Sequence, residues 1–313
     1  MARSADDSTT PHVPAGRSLA ATLRRRGRTV GHVRIVSLLP STTEILFAIR
    51  AGTDVVGVTF ECDFPAEART RTIVSTSAMP EGLAPAEIDA YVADALSRGE
   101  DLYHLDAGAL SGLDPELVVT QDLCAVCAVD VSVVDDALAH LGCTAEVLTI
   151  DPHTLGEVLA SIETLGAATG HEVEAARLTS GLRDRLDAVR RRVAGRPRPR
   201  VMLLEWTDPP FAPGHWVPEM IMAAGGEPLL GTAGARSERV TWEAVEAARP
   251  EVFVVAPCGY DLAGAIQLAD QLVASGRLPV GAPVLPVDAN ASWARPGTRL
   301  VDGVEELAGL LHP

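Results

Sequence analysis

The stretch Glu172-Val-Glu-Ala-Ala-Arg-Leu-Thr-Ser-Gly-Leu-Arg-Asp-Arg-Leu-Asp-Ala-Val-Arg-Arg-Arg-Val-Ala194 decides the fold. Val173, Leu178, Leu182, Leu186, Val189 and Val193 recur at helical spacing, so one face is apolar and the rest is charged. The spacing predicts a single helix of about 34 Å at 1.5 Å per residue, long enough to run from one lobe of a protein to another. Gly195-Arg-Pro-Arg-Pro199 then breaks it, since proline removes a backbone donor and fixes φ.

Strands and helices alternate on both sides of this segment. Upstream, Val33 to Leu39 is a β-rich run, Pro40 to Glu44 caps a helix carrying Ile45, Leu46 and Ile49, and Asp54 to Thr59 is a second strand. Leu117 to Thr120 is a buried-type strand, Val131 to Leu141 has helical period, and Ala145 to Ile150 is another strand. Leu155 to Leu165 marks a helix that stops at Gly170. Downstream, strands are expected at Val201–Leu204, Glu251–Ala256 and Pro283–Val287. Helices are expected at 220–224, 242–248, 262–275 and 298–311. Such alternation implies parallel sheets covered on both faces. The expected fold class is therefore α/β, with two Rossmann-like lobes of parallel sheet joined by a single long α-helix and a ligand cleft between them. Its expected divisions are a disordered tail (1–32), a first lobe (33–151), connecting helices (152–199) and a second lobe (200–313).

With 313 residues and 47% hydrophobic composition the chain can bury a large core. A net charge of −16 repels phosphate backbones and anionic lipid, which excludes nucleic acid and membrane surfaces as partners at this level of reading. No apolar run approaches the roughly 20 residues that cross a bilayer. Arg24-Arg-Arg26 is followed by Gly27-Arg-Thr-Val-Gly-His32 rather than by an apolar stretch, and the five cysteines are an odd set. Both features lead to the expectation of a cytoplasmic protein with reduced thiols.

Open parallel sheets bind ligands beyond the carboxyl ends of their strands. In the first lobe those ends carry Phe60-Glu61-Cys62-Asp63 and Cys124-Ala-Val-Cys127. In the second they carry Trp206 to Trp216, Pro257 to Tyr260 and Asn290 to Gly297. Aromatic residues are only 4% of the chain, yet Trp206, Trp216 and Trp293, three of its four tryptophans, fall in these loops. Clustering of this kind is better explained by a planar ligand than by Trp206 and Trp216 packing the base of a Pro-rich loop, which is the alternative. His215 offers an imidazole to a metal or a ligand amide, or is a plain loop histidine. Arg295 would pair with a ligand carboxylate or form a structural bridge.

Arg34-Ile-Val-Ser-Leu-Leu-Pro-Ser-Thr-Thr-Glu44, Cys62-Asp-Phe-Pro65, Leu113-Asp-Pro-Glu-Leu-Val-Val119, Pro209-Pro-Phe211 and Ala224-Gly-Gly-Glu227 stand in the order of one known family. The chain resembles the substrate-binding proteins of ABC importers that receive cobalamin, haem and ferric siderophores, over about residues 34–311. The cobalamin-binding branch, here without a signal peptide, is the nearest in pattern. That resemblance implies a corrinoid or related metal chelate as ligand, an ABC permease as partner, and aromatic contacts from Phe60, Trp206, Phe211, Trp216 and Trp293. Two departures stand out. Ser75-Thr-Ser77 lacks the aromatic usual in the family, and of the two surface glutamates offered to permease arginines only Glu243 has a candidate.

No Gly-x-Ser-x-Gly, no phosphate-binding Gly-Lys-Ser/Thr loop and no Gly-x-Gly-x-x-Gly occurs, so no catalytic role is expected. The rival reading is a cytoplasmic metal-binding or redox protein in which Cys62, Cys124 and Cys127 hold a metal, as Cys-x-x-Cys spacing permits. Inert buried thiols are the alternative.

Overall fold

The computed structural model describes residues 33–80, 82–98, 100, 102–121, 145–279 and 281–313. The expected tail at 1–32, the helical period at 131–141 and the Cys124–Cys127 pair lie outside the described residues.

The first lobe runs β1 (Ile35–Ser37), α1 (Pro40–Ala48), β2 (Val55–Val58), a 3-10 turn (Ala66–Thr70), β3 (Thr72–Ile73), β4 (Ser75–Ser77), α2 (Pro85–Arg98), β5 (Tyr103–Leu105), α3 (Ala107–Ser111), β6 (Leu117–Thr120) and β7 (Glu146–Thr149). Its main sheet has order β3-β2-β1-β6-β7 and every pair is parallel. Pro40 opens α1, where its missing N–H costs nothing. The antiparallel pair β4–β5 sits beside this sheet and places Ser77 opposite Tyr103.

Two helices lead away from β7. The first, α4 (Leu155–Thr169), starts on a capping box in which Thr154 accepts from the Glu157 N–H and Glu157 reaches back to the Thr154 N–H. It ends at Gly170, whose φ of 76° is the left-handed conformation of a helix stop. The second, α5 (Glu172–Val193), is the long helix read from the sequence. Glu172 and Glu174 in its first turn and Arg190, Arg191 and Arg192 in its last complement the helix dipole. Its buried stripe is Ala175, Thr179, Leu182, Leu186, Val189 and Val193. Val173 is 68% exposed, because at about 100° per residue it lies about 200° round the helix from the buried Ala175, on the face opposite the stripe.

The second lobe contains β8 (Arg200–Leu204), β9 (Trp206–Thr207), β10 (Pro210–Ala212), α6 (Val217–Ala223), β11 (Glu227–Pro228), β12 (Glu238–Arg239), α7 (Trp242–Ala247), β13 (Val252–Val255), α8 (Leu262–Ala274), β14 (Val284–Pro286), α9 (Ala289–Ser292) and α10 (Leu300–Leu311). Its sheet is parallel, in the order β11-β8-β13-β14, and β12-β10-β9 forms a small separate ribbon.

One hydrophobic core passes from lobe to lobe. Ile35 and Val119 of the first sheet, Leu159 and Ile162 of α4, Leu182 and Leu186 of α5, and Val201 and Leu203 of the second sheet belong to it. The other face of each sheet has its own smaller core, around Val36 and Val118 in the first lobe and around Met202 and Phe253 in the second. The pairing of α4 with α5 is tight. A Cβ added to Gly166 would fall inside contact distance of the Ala175 Cβ and lie 3.1 Å from the His171 carbonyl oxygen. Gly181, on an open face of α5, has nothing within 4 Å of such a Cβ. Opposite signs follow for the same substitution. Gly166→Ala should lower stability by about 1–3 kcal/mol through overpacking, and Gly181→Ala should raise it by about 0.5–1 kcal/mol through helix propensity. Urea-unfolding midpoints at unchanged slope check both.

Candidate ligand cleft

The parallel sheets aim the carboxyl ends of their strands at the loops singled out in the sequence. Beyond β2, Phe60 is half-buried and its ring centre lies 6.0 Å from that of Tyr103 on β5. The Tyr103 hydroxyl donates to Glu61 Oε2 at 3.3 Å. Burial raises the Glu61 carboxyl above its ordinary value, against the opposing charge of Arg295 and the Tyr103 hydrogen bond. Tyr103 was not recognised from the sequence. It belongs to the short β4–β5 pair opposite Ser77, is 8% exposed and joins the smaller core of the first lobe, so it supports Phe60 from behind.

Beyond β8, Trp206 packs edge-on to Tyr260, ring centres 5.8 Å apart, and Tyr260 follows β13. The Trp206 indole N–H is shared between its own loop, at Asp208 O (3.1 Å), and the first lobe, at Pro85 O (3.2 Å). Phe211 pairs across the ribbon with Trp206 and Arg239, and the Arg239 guanidinium sits 5.8 Å from the Phe211 ring centre. Arg239 also reaches Asp89 on α2 at 2.7 Å. Trp206 and Arg239 therefore both bind the second lobe to the first.

A buried ionic cluster closes the other side. Arg295 donates to the Asp63 carboxylate, to Glu44 Oε1 at 3.4 Å and to the Glu61 carbonyl at 3.3 Å. Arg299 holds Glu44 through bonds of 2.6 and 2.9 Å and stacks 4.3 Å from the Phe64 ring centre. The Glu44 side chain is 1% exposed, and burial raises its carboxyl above the ordinary range despite both guanidinium groups. For Asp63 burial acts in the same direction, but the hydrogen bond and charge of Arg295 outweigh it and hold the carboxyl low. Arg295 is thus the structural bridge of the two alternatives.

His215 has φ 49° and is fixed by its N–H to Ala235 O (2.6 Å) and by its carbonyl, which accepts from Gly234 N (2.9 Å). Glu205 at the end of β8 braces the same loop, accepting from Gly214 N at 3.1 Å and from the Ser237 hydroxyl. Three sequence expectations change here. Trp216 and Trp293 are 6% and 1% exposed, and the Trp216 indole N–H donates to Trp293 O at 2.8 Å. Both rings belong to the core shared by the lobes, because each sits at a helix end that turns its side chain inward, so neither presents a face to the cleft. Cys62 is 2% exposed, shares a hydrogen bond with Thr43 Oγ1 (3.1 Å), and has its thiol pushed up by burial to about 12. A thiol so buried stays protonated at neutral pH, which disfavours metal ligation through it. Among the described residues no group of three His, Cys, Asp or Glu could hold a metal, and no helix is long and apolar enough to cross a membrane.

The family model for periplasmic binding proteins matches residues 35–277. No curated protein matches the chain in sequence. Solved structures do match in fold. The periplasmic heme binding protein HutB of Vibrio cholerae shares 18% identity at a TM-score of 0.66, covering 90% of this chain and 100% of that one. The periplasmic vitamin B12 binding protein BtuF of Vibrio cholerae shares 20% at a TM-score of 0.60, covering 89% and 96%. The periplasmic heme-binding protein RhuT from Roseiflexus sp. RS-1 shares 22% at 0.60, covering 89% and 97%. The cytoplasmic location expected from the cysteine count is overturned, since the matched family and these neighbours are periplasmic proteins. An odd thiol count is a poor guide to compartment when a thiol is as deeply buried and protonated as Cys62. The family consists of solute-binding proteins rather than enzymes, and with the match spanning most of its two lobes, this chain belongs to the periplasmic binding protein family.

Proposed function

We propose that the chain is an uptake receptor that holds a corrinoid between its lobes and delivers it to an ABC permease. The observation that carries this reading is the set of part-exposed aromatic rings beyond the strand ends of both lobes, Phe60 in the first and Trp206 with Tyr260 in the second. Aromatic faces on two opposed walls suit a flat, metal-centred macrocycle better than a small polar solute. Phe211 and Glu61 flank them, and Trp216 and Trp293 act from behind as core.

The charges favour a corrinoid over haem or a ferric chelate. Haem and most ferric chelates carry carboxylate or other anionic groups that need free cations. Arg295, Arg299 and Arg239 are each already bound to carboxylates of the first lobe. A neutral, amide-rimmed corrinoid makes no such demand. For the permease, Glu243 in the first turn of α7 is exposed, and bonds from its own backbone N–H and from Thr241 hold its carboxyl below the ordinary value. It is an anion at neutral pH, suited to a guanidinium on a partner surface.

Titration by visible absorption with cyanocobalamin, haemin and a ferric siderophore tests the reading. Cobalamin should saturate at one per chain and more tightly than the other two; failure to bind cobalamin, or preference for haemin, overturns it. Trp206→Ala should weaken cobalamin binding at least about tenfold, since a buried aromatic contact contributes roughly 1–3 kcal/mol, with the unfolding midpoint little changed. Trp293→Ala should do the reverse in kind. It should lower stability by about 3–5 kcal/mol, measured by urea unfolding, as removal of a core ring does.

A further inference from the structure

We propose that His153 and His215 form a two-imidazole site for a divalent transition-metal ion at the junction of the two lobes. His153 lies in the crossover between β7 and α4, and His215 lies in the loop between β10 and α6, so the two rings reach the junction from opposite lobes. Their ring centres are 5.9 Å apart with planes tilted by 40°. An imidazole nitrogen binds Zn²⁺, Ni²⁺ or Cu²⁺ at about 2.0–2.1 Å, which places the centres of two imidazoles on one ion about 5–6 Å apart. The rings already stand at the spacing that shared ligation needs.

A second observation concerns hydrogen bonding. His215 Nε2 is buried and makes no hydrogen bond, whereas buried polar atoms are ordinarily satisfied. A bound ion would supply the missing partner. The backbone of His215 is fixed from both sides by Ala235 and Gly234, and the loop is braced by Glu205, so the point from which the ring projects is fixed. His153 is fixed too, since its N–H donates to Glu157 Oε2 at 2.6 Å.

The surrounding charges set the conditions. Burial, the neighbouring His153 and Arg236 lower the His215 pKa, which keeps the ring neutral and its lone pair available at neutral pH. Glu157 in the first turn of α4 accepts from the His153 N–H, and Glu205 at the end of β8 accepts from Gly214 and Ser237. Two protein ligands leave the remaining positions of the ion to water, as in sites that stay open for exchange. An ion held in this way would tie the β7–α4 crossover to the second lobe.

The test uses the whole protein freed of metal by chelator and titrated with NiCl2 and with ZnCl2 by calorimetry at pH 7.5. The expected result is one ion per chain, weakened at least about tenfold in His153→Gln and equally in His215→Gln, with affinity falling as pH drops through the imidazole range. His104→Gln and His171→Gln should leave the binding unchanged. Both test variants keep a polar side chain of similar size, and circular dichroism verifies their fold. Absence of binding in the wild type overturns the proposal, as does binding that survives either test variant. So does a result in which His215→Gln changes only cyanocobalamin binding and not that of the free ion. Since cobalamin is titrated separately, this outcome is distinct from failure of the corrinoid reading.

Discussion

The packing of α4 against α5 is the constraint on which the rest of the molecule depends. Two separate parallel sheets would ordinarily make two cores, each closed by its own helices. Here the two connecting helices lie behind both sheets, and the buried stripe of α5 joins residues as distant as Ile35 and Val201 in one apolar interior. Gly166 allows the two helices to approach closely, and the left-handed Gly170 turns the chain between them. The relative placement of the strand ends, and so the shape of the cleft, follows from how rigidly this pair is held.

Across the cleft the contacts are of another kind. Trp206 with Pro85, Arg239 with Asp89, and the Arg295–Arg299–Glu44–Asp63 cluster are polar and few. Exposed ion pairs such as Arg239–Asp89 contribute about 0–1 kcal/mol. A cluster around a carboxylate as buried as Glu44 fixes geometry more than it adds stability, because desolvation offsets most of the attraction. The apolar side of the molecule therefore sets the hinge, and the polar side sets the closed arrangement.

Much of this was legible in the sequence, and the reason is periodicity. The stripe of α5 and the stop of α4 at Gly170 are local signals that tertiary packing reinforced. The strand-end rule put Phe60 beyond β2 and Trp206 beyond β8, and the fold has both strands there. It failed for Trp216 and Trp293 because a position in a loop does not fix the direction of a side chain. Both lie at helix ends, where one residue's rotation separates a cleft-facing ring from a core ring. Tyr103 was missed for the opposite reason. Its three-residue strand gives no periodic signal, and only pairing with β4 brings it beside Phe60.

The thiols show how burial decides between chemistries that spacing leaves open. Cys62 stands next to Glu61 and Asp63 at a strand end, which in sequence resembles a ligand set. In the fold its sulfur is directed to Thr43 inside the first lobe, and loss of water costs its thiolate more than the nearby arginine restores. Cys258 is exposed beyond β13, and the other described cysteine, Cys62, is buried. Imidazoles face no such penalty, since the neutral ring is the ligand. Burial that holds the Cys62 thiol protonated also holds the His215 ring neutral, so one environment removes the thiolate and keeps the imidazole lone pair.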